Sequence, residues 1–90
     1  MKSIILLVED DILIGQTLKD FFEYNDFSVL CAKDGNSAIK LFQQAPPSII
    51  LLDVVVPHEN GFEVATEIRK SNRIVSIIFM TGTALEKEST

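Results

Sequence analysis

The sequence is poor in several residue types, and each shortage excludes a class of protein. It has one cysteine, Cys31, and no tryptophan. A lone cysteine forms no internal disulfide and offers no metal-ligand spacing, which fits a reducing compartment, and we expect Cys31 to be a small buried thiol. No apolar run approaches the roughly 20 residues of a membrane span, and the first residues lack a signal-peptide pattern. These absences predict a soluble, cytoplasmic chain.

Basic residues are also scarce. Eight Lys and Arg stand against thirteen Asp and Glu, giving a formal net charge of −5. Nucleic acids and anionic membranes reward clustered positive charge, so neither is an expected partner of this segment. With 90 residues and 47% hydrophobic content, the composition predicts one globular domain over residues 1–90.

The apolar residues fall into an alternating pattern of strands and helices. Runs rich in β-branched residues predict strands at residues 4–8, 27–32, 48–52 and 75–80. Helical spacing relates Ile14, Leu18, Phe21 and Phe22, then Ala38, Leu41, Phe42 and Ala45, then Val64, Ala65 and Ile68. Pro46 and Pro47 end the second helix, and Asn60 with Gly61 begins the third. Strict alternation predicts a parallel sheet with helices on both faces.

Acidic residues follow two of the predicted strands. Glu9, Asp10 and Asp11 come directly after the first strand, and Asp53 comes directly after the third. Ligands of open parallel sheets bind beyond the carboxyl ends of the strands. Two carboxylates about 4 Å apart repel by roughly 4 kcal/mol at an effective dielectric constant near 20, so a divalent cation is expected among them. An all-oxygen set with room for water favours Mg²⁺, with a backbone carbonyl after Asp53 as a further ligand.

Each of these residues also has a purely structural interpretation. Asp10 or Asp11 would serve as the N-cap of the first helix, and Asp53 as a turn residue. Thr81, at the same end of the fourth strand, would bond the local backbone. His58 is interpreted as an exposed loop residue, and the six phenylalanines and two methionines as core packing.

Four segments together resemble the receiver domains of two-component response regulators. They are IILLVEDD at residues 4–11, AKDGNSAI at 32–39, LLDVVVPHENGFE at 51–63 and MTG at 80–82. The third segment has a proline four residues and a glycine eight residues after Asp53. The resemblance implies a flavodoxin-like doubly wound parallel sheet, the (βα)5 receiver fold, with its first four strands in the order 2-1-3-4.

The resemblance also implies a function and a set of site residues. Mg²⁺ would be held by Glu9, Asp10, Asp53 and the backbone carbonyl of Val55. Asp53 would accept phosphate from the phosphohistidine of a histidine kinase or phosphotransfer protein. Thr81 would hydrogen-bond the phosphoryl group and act as the switch, and Gly82 would leave room for it. Such a protein is a signalling module and not an enzyme in the ordinary sense.

The sequence departs from the family pattern after the fourth strand. Most of a fourth helix, a fifth strand carrying a phosphate-binding lysine and a fifth helix are missing, and Lys87 does not take that lysine's place. We therefore expect the apolar fourth strand to present an exposed edge and to favour self-association. The alternative function is a receiver-like interaction or oligomerisation module independent of phosphorylation. A phosphatase of the haloacid dehalogenase type is disfavoured because Val55 stands where its second acid would be.

Overall fold

The computed structural model describes residues 2–56 and 59–80. Its elements alternate along the chain almost as the hydrophobic pattern predicts. They are β1 (Ile4–Val8), α1 (Ile12–Tyr24), β2 (Ser28–Ala32), α2 (Gly35–Gln44), β3 (Ile49–Asp53), β4 (Val55–Val56), β5 (Glu59–Asn60), α3 (Gly61–Ser71) and β6 (Ser76–Met80). None of the helices within these residues is long and apolar enough to cross a membrane.

Four strands form one parallel sheet in the order β2-β1-β3-β6. This order confirms the predicted flavodoxin-like arrangement, with β1 and β3 in the centre. In the register, Val8 lies beside Leu52 and Asp53 lies beside Met80, so the carboxyl ends of β1, β3 and β6 meet at one end of the sheet. The short strands β4 and β5 form a separate antiparallel pair that the sequence did not predict.

The central strands are covered on both faces, which explains why they are apolar without interruption. Leu6, Val8, Ile50 and Leu52 are completely buried and belong to one core cluster together with residues of α2 and α3. Their neighbours in sequence point to the opposite face, as the pleat of a strand requires, and pack in a smaller cluster against α1.

Side-chain caps fix the first turn of each helix. Asp11 is the N-cap of α1, and its Oδ1 accepts a hydrogen bond from the Ile14 amide at 3.0 Å. Asp34 caps α2 in the same way. Asn60 and Glu63 form a reciprocal capping box at the start of α3, so Asn60 opens this helix as the sequence predicts.

Four side chains that we expected in the core are exposed. Cys31 is exposed because β2 is an edge strand with alternating burial, so the prediction of a buried thiol was wrong. Phe21 and Phe62 are 59% and 58% exposed, although each ring packs against one other aromatic ring. Ile14 is also nearly half exposed, because α1 contacts the sheet mainly through residues further along the helix.

Candidate metal centre

Three carboxylates meet at the carboxyl end of the two central strands. Glu9 and Asp10 follow β1, and Asp53 is the last residue of β3. One oxygen from each of these side chains lies within 4.8 Å of the others. The adjacency of β1 and β3 produces this proximity, since Val8 and Leu52, the residues before Glu9 and Asp53, are direct neighbours across the sheet. The structure therefore brings together the three side chains that the sequence singles out as metal ligands.

A local hydrogen bond holds the Asp53 carboxylate. The Val55 amide donates to Asp53 Oδ1 at 3.0 Å, so the carboxylate is turned back over its own loop. Asp53 is half-buried, whereas the neighbouring Asp10 is exposed. A half-buried acid with one oxygen held by an amide has little rotational freedom, which favours a fixed direction for whatever it binds.

The carboxyl of Glu9 has a raised pKa. Burial, followed by hydrogen bonding to Asp53 and charge repulsion from it, together raise the pKa of this carboxyl to about 7 from an ordinary value of 4.5. The Asp11 amide, which donates to Glu9 Oε2 at 3.3 Å, acts in the opposite direction. Near neutral pH, Glu9 therefore holds a proton in a large fraction of the molecules when no cation is bound.

The loop after Asp53 folds back against the start of α3. The Val54 carbonyl accepts a hydrogen bond from the Gly61 amide at 2.8 Å, and the Val54 amide donates to the Met80 carbonyl at 3.3 Å. Val55 then pairs with Asn60 in the β4–β5 hairpin. The residues that carry the expected carboxylate and carbonyl ligands are thus held from both sides by backbone hydrogen bonds.

The other residues singled out in the sequence have different outcomes. Asp11 is the helix N-cap, and the structural interpretation of that residue is confirmed. Thr81, Gly82, His58 and Lys87 lie outside the described residues. Met80, immediately before Thr81, is the strand neighbour of Asp53.

The donor set suits a hard divalent cation. Carboxylates and a nearby backbone carbonyl are the oxygen ligands that Mg²⁺ takes in proteins, usually with several waters retained. Burial and the neighbouring Asp53 raise the pKa of Glu9, so ionisation of all three acids is unfavourable, and a bound cation would offset that cost.

Comparison with known proteins identifies the family. The chain matches the model of the response regulator receiver domain over residues 5–90, and it therefore belongs to the response-regulator receiver family. Over 87 residues, or 97% of the chain, it is 32% identical to the transcriptional regulatory protein RprY of Bacteroides fragilis (strain YCH46). The chain spans only 37% of that relative's length.

Solved structures agree with this assignment. The non-phosphorylated receiver domain of HemR from Leptospira biflexa superimposes with a TM-score of 0.83 at 32% identity, over 98% of this chain and 73% of the other. A chain from the crystal structure of the histidine kinase ThkA in complex with the response regulator protein TrrA gives a TM-score of 0.83 at 34% identity, over 91% of this chain and 70% of the other.

Proposed function

We propose that this chain is the phosphoacceptor of a two-component phosphorelay, and that Asp53 receives the phosphoryl group from a phosphohistidine. The observation that carries the proposal is the convergence of Glu9, Asp10 and Asp53 within 4.8 Å in a chain of the receiver family. In this proposal, the three carboxylates and the Val55 carbonyl hold Mg²⁺, which when bound screens the repulsion between the acids and the incoming phosphoryl group.

The chemistry is a nucleophilic substitution at phosphorus. A carboxylate oxygen of Asp53 forms a bond to the phosphorus while the bond from phosphorus to the imidazole nitrogen of the donor breaks. The product is an acyl phosphate on Asp53, and the released imidazole takes up a proton. The Val55 amide fixes Oδ1 at 3.0 Å and so limits the directions from which the carboxylate attacks. We assign to Thr81, next to Met80, the hydrogen bond to the phosphoryl group, and to Gly82 the space beside it.

A donor with a nitrogen–phosphorus bond tests this chemistry without a partner protein. Incubation with phosphoramidate and Mg²⁺ should label the wild-type chain with a phosphate that hydroxylamine releases, as it does from acyl phosphates. Asp53→Asn should remain unlabelled, whereas Asp20→Asn, an exposed acid on α1, should label like the wild type. Hydroxylamine-resistant labelling, or equal labelling of Asp53→Asn, would rule out Asp53 as the acceptor.

The partner in this proposal is a histidine kinase or phosphotransfer protein, in line with the structural likeness to a kinase-bound response regulator complex. Ile12 and Leu13, at the start of α1 and just after the acids, are 73% and 77% exposed. We expect Leu13→Ser to slow transfer from a phosphorylated histidine kinase of the same organism while leaving labelling by phosphoramidate unchanged. Ile74→Ser is the matched control, since Ile74 is 91% exposed and precedes β6 at the opposite end of the sheet.

The edge of the sheet favours a second candidate function, a receiver-like interaction or oligomerisation module that does not depend on phosphorylation. Within residues 2–56 and 59–80, β6 is paired on one side only, and Ile78 in its centre is 52% exposed. An apolar edge strand is a template for pairing with another chain. This candidate predicts dimers or larger species by light scattering at micromolar concentration without phosphate, and Ile78→Lys should shift them towards monomer. A monodisperse wild-type monomer would contradict it.

Both candidates describe a cytoplasmic signalling module. RprY, the larger relative, is a transcriptional regulatory protein. We do not assign nucleic-acid binding to this acidic segment, because its net charge of −5 opposes contact with phosphate backbones.

A further inference from the structure

Gly61, the first residue of α3, lies directly against the backbone of the phosphoacceptor loop. A Cβ atom built on Gly61 would fall 2.4 Å from the carbonyl oxygen of Asp53 and 2.8 Å from Cα of Val54. The backbone of Gly61 does not have a positive φ, so its conformation is open to any residue. Space, and not backbone conformation, therefore requires a glycine here.

Hydrogen bonds on two sides hold the loop that the start of α3 approaches. Gly61 donates its amide hydrogen to the Val54 carbonyl at 2.8 Å, and on the other side Val54 bonds the carbonyl of Met80 in β6. The capping box of Asn60 and Glu63 fixes the first turn of α3. The segment that carries Asp53 is thus held between a sheet strand and a helix N-terminus, both of which belong to the packed body of the domain.

We propose that Gly61 is a positioning residue for the metal centre: its missing side chain lets α3 close on Asp53 and Val54 and so fixes the Asp53 carboxylate relative to Glu9. This inference rests on the proposed magnesium site. The contact of 2.4 Å is shorter than the 3.0 Å that real Cβ atoms keep, so a methyl group here would displace the loop by about 0.6 Å or more. Mg²⁺ requires near-ideal octahedral geometry, whereas the larger Ca²⁺ accepts flexible geometry.

The test compares Gly61→Ala with the wild type by titrating each folded protein calorimetrically with Mg²⁺ and, separately, with Ca²⁺. We expect the affinity for Mg²⁺ to fall about tenfold or more, since changes to the residues that orient metal ligands typically cost about 10- to 100-fold in affinity. The affinity for Ca²⁺ should change less than about threefold, because its coordination tolerates the shift. A merely structural role would lower both affinities equally or neither.

Gly15→Ala is the matched control. Gly15 is also a helical glycine near the site, but a Cβ there would lie 4.0 Å from Glu9 Cγ, an ordinary contact. Both affinities should remain at the wild-type values. Gly61→Ala with wild-type Mg²⁺ affinity, or with equal losses for both ions, would overturn the role of Gly61. Failure of the wild type itself to bind Mg²⁺ would instead overturn the proposed function.

A measurement on the wild type decides the matter if Gly61→Ala does not fold. The Gly61 amide donates to the carbonyl of Val54, and the Val55 amide donates to the Asp53 carboxylate. The NMR resonances of the Gly61 and Val55 amides should therefore shift over the same range of Mg²⁺ concentration. The amide of Asn72, at the other end of α3, should stay in place. A shift at Val55 with none at Gly61 would show that the helix does not sense the metal, and would overturn the proposal.

Discussion

The buried apolar residues of β1 and β3, called here the middle of these strands, lie directly next to the acids at the carboxyl ends and have the opposite character. In the middle, Leu6, Val8, Ile50 and Leu52 are completely buried in the larger core cluster. At the ends, Glu9, Asp10 and Asp53 hold carboxylate oxygens within 4.8 Å of one another. The first region stabilises the sheet, whereas in the second, burial and the neighbouring Asp53 disfavour the ionised form of Glu9 and raise its pKa.

The two parts of each strand therefore have different roles, stability for the apolar middle and binding for the acidic end. Burial of the apolar middle supplies the stability that allows the polar ends to remain in an unfavourable arrangement. Substitutions in the middle should therefore lower the free energy of unfolding without changing the affinity of the folded molecules for metal. Substitutions and conditions that act on the ends should change metal binding and the pH dependence of stability.

The largest effect on the free energy of unfolding should come from a substitution in the apolar middle of β3. Leu52→Ala should lower the free energy of unfolding by about 2 to 5 kcal/mol, because it removes buried methyl groups and leaves a cavity. Urea denaturation measures the loss, and the matched control Leu13→Ala, at a residue that is 77% exposed, should change stability by less than about 0.5 kcal/mol. Similar losses for both variants would contradict the burial described for β3.

The next largest effect on stability should come from Mg²⁺ binding at the carboxyl ends of β1 and β3. If Mg²⁺ binds the folded state only, as proposed, then Mg²⁺ at 100 times its dissociation constant should raise the free energy of unfolding of the wild type by about 2.7 kcal/mol. Asp53→Asn should show little of this gain, and Leu52→Ala, if it remains folded, should show all of it. Denaturation in matched buffers with Mg²⁺ or with a chelator makes the comparison. If Asp53→Asn gained as much stability from Mg²⁺ as the wild type does, Mg²⁺ would not bind at these carboxylates.

A smaller change in stability should come from the protonation of the Glu9 carboxyl. The folded protein binds this proton more tightly than the unfolded chain, since the pKa is raised to about 7 from 4.5. The associated stability is present below pH 4.5 and is lost as the pH rises to about 7. For a partly exposed carboxyl, solvent screening reduces the loss to about 1 kcal/mol.

Urea denaturation at pH 5 and pH 8 without divalent cations measures this loss. Glu9→Gln should remove it, whereas Glu67→Gln, which alters an exposed pair with Lys70, should behave as the wild type does. If Glu9→Gln retained the wild-type pH dependence, the assignment of the proton to Glu9 would fail.

Most of the fold was predictable because its signals are local. Uninterrupted apolar strands, helical spacing and the Asn60 cap each depend on a few neighbouring residues, and their alternation restricts the topology. The exposure of Cys31 and Phe21 was not predictable in this way, because burial on an edge strand or on a single covering helix depends on which elements lie beside it. The β4–β5 hairpin has only two residues in each strand, too few for a periodic pattern.

The candidate site was predictable at the level of residue type and incompletely at the level of geometry. Acids after adjacent parallel strands must converge, so Glu9 and Asp53 follow from the order of the strands. The hydrogen bond from Val55 to Asp53 and the close approach of Gly61 depend on how one loop folds back. The only sequence signal for Gly61 is its place eight residues after Asp53, at the start of a helix.

The most direct test of the central claim is intact-mass analysis after incubation with acetyl phosphate, with and without Mg²⁺, for the wild type and Asp53→Asn. The account predicts a gain of one phosphoryl group, about 80 Da, in the wild type with Mg²⁺ only, and none in Asp53→Asn. A wild-type chain that is folded by circular dichroism and gains no mass, or a gain that survives in Asp53→Asn or without Mg²⁺, would contradict the claim that these carboxylates form a magnesium-dependent phosphoacceptor site.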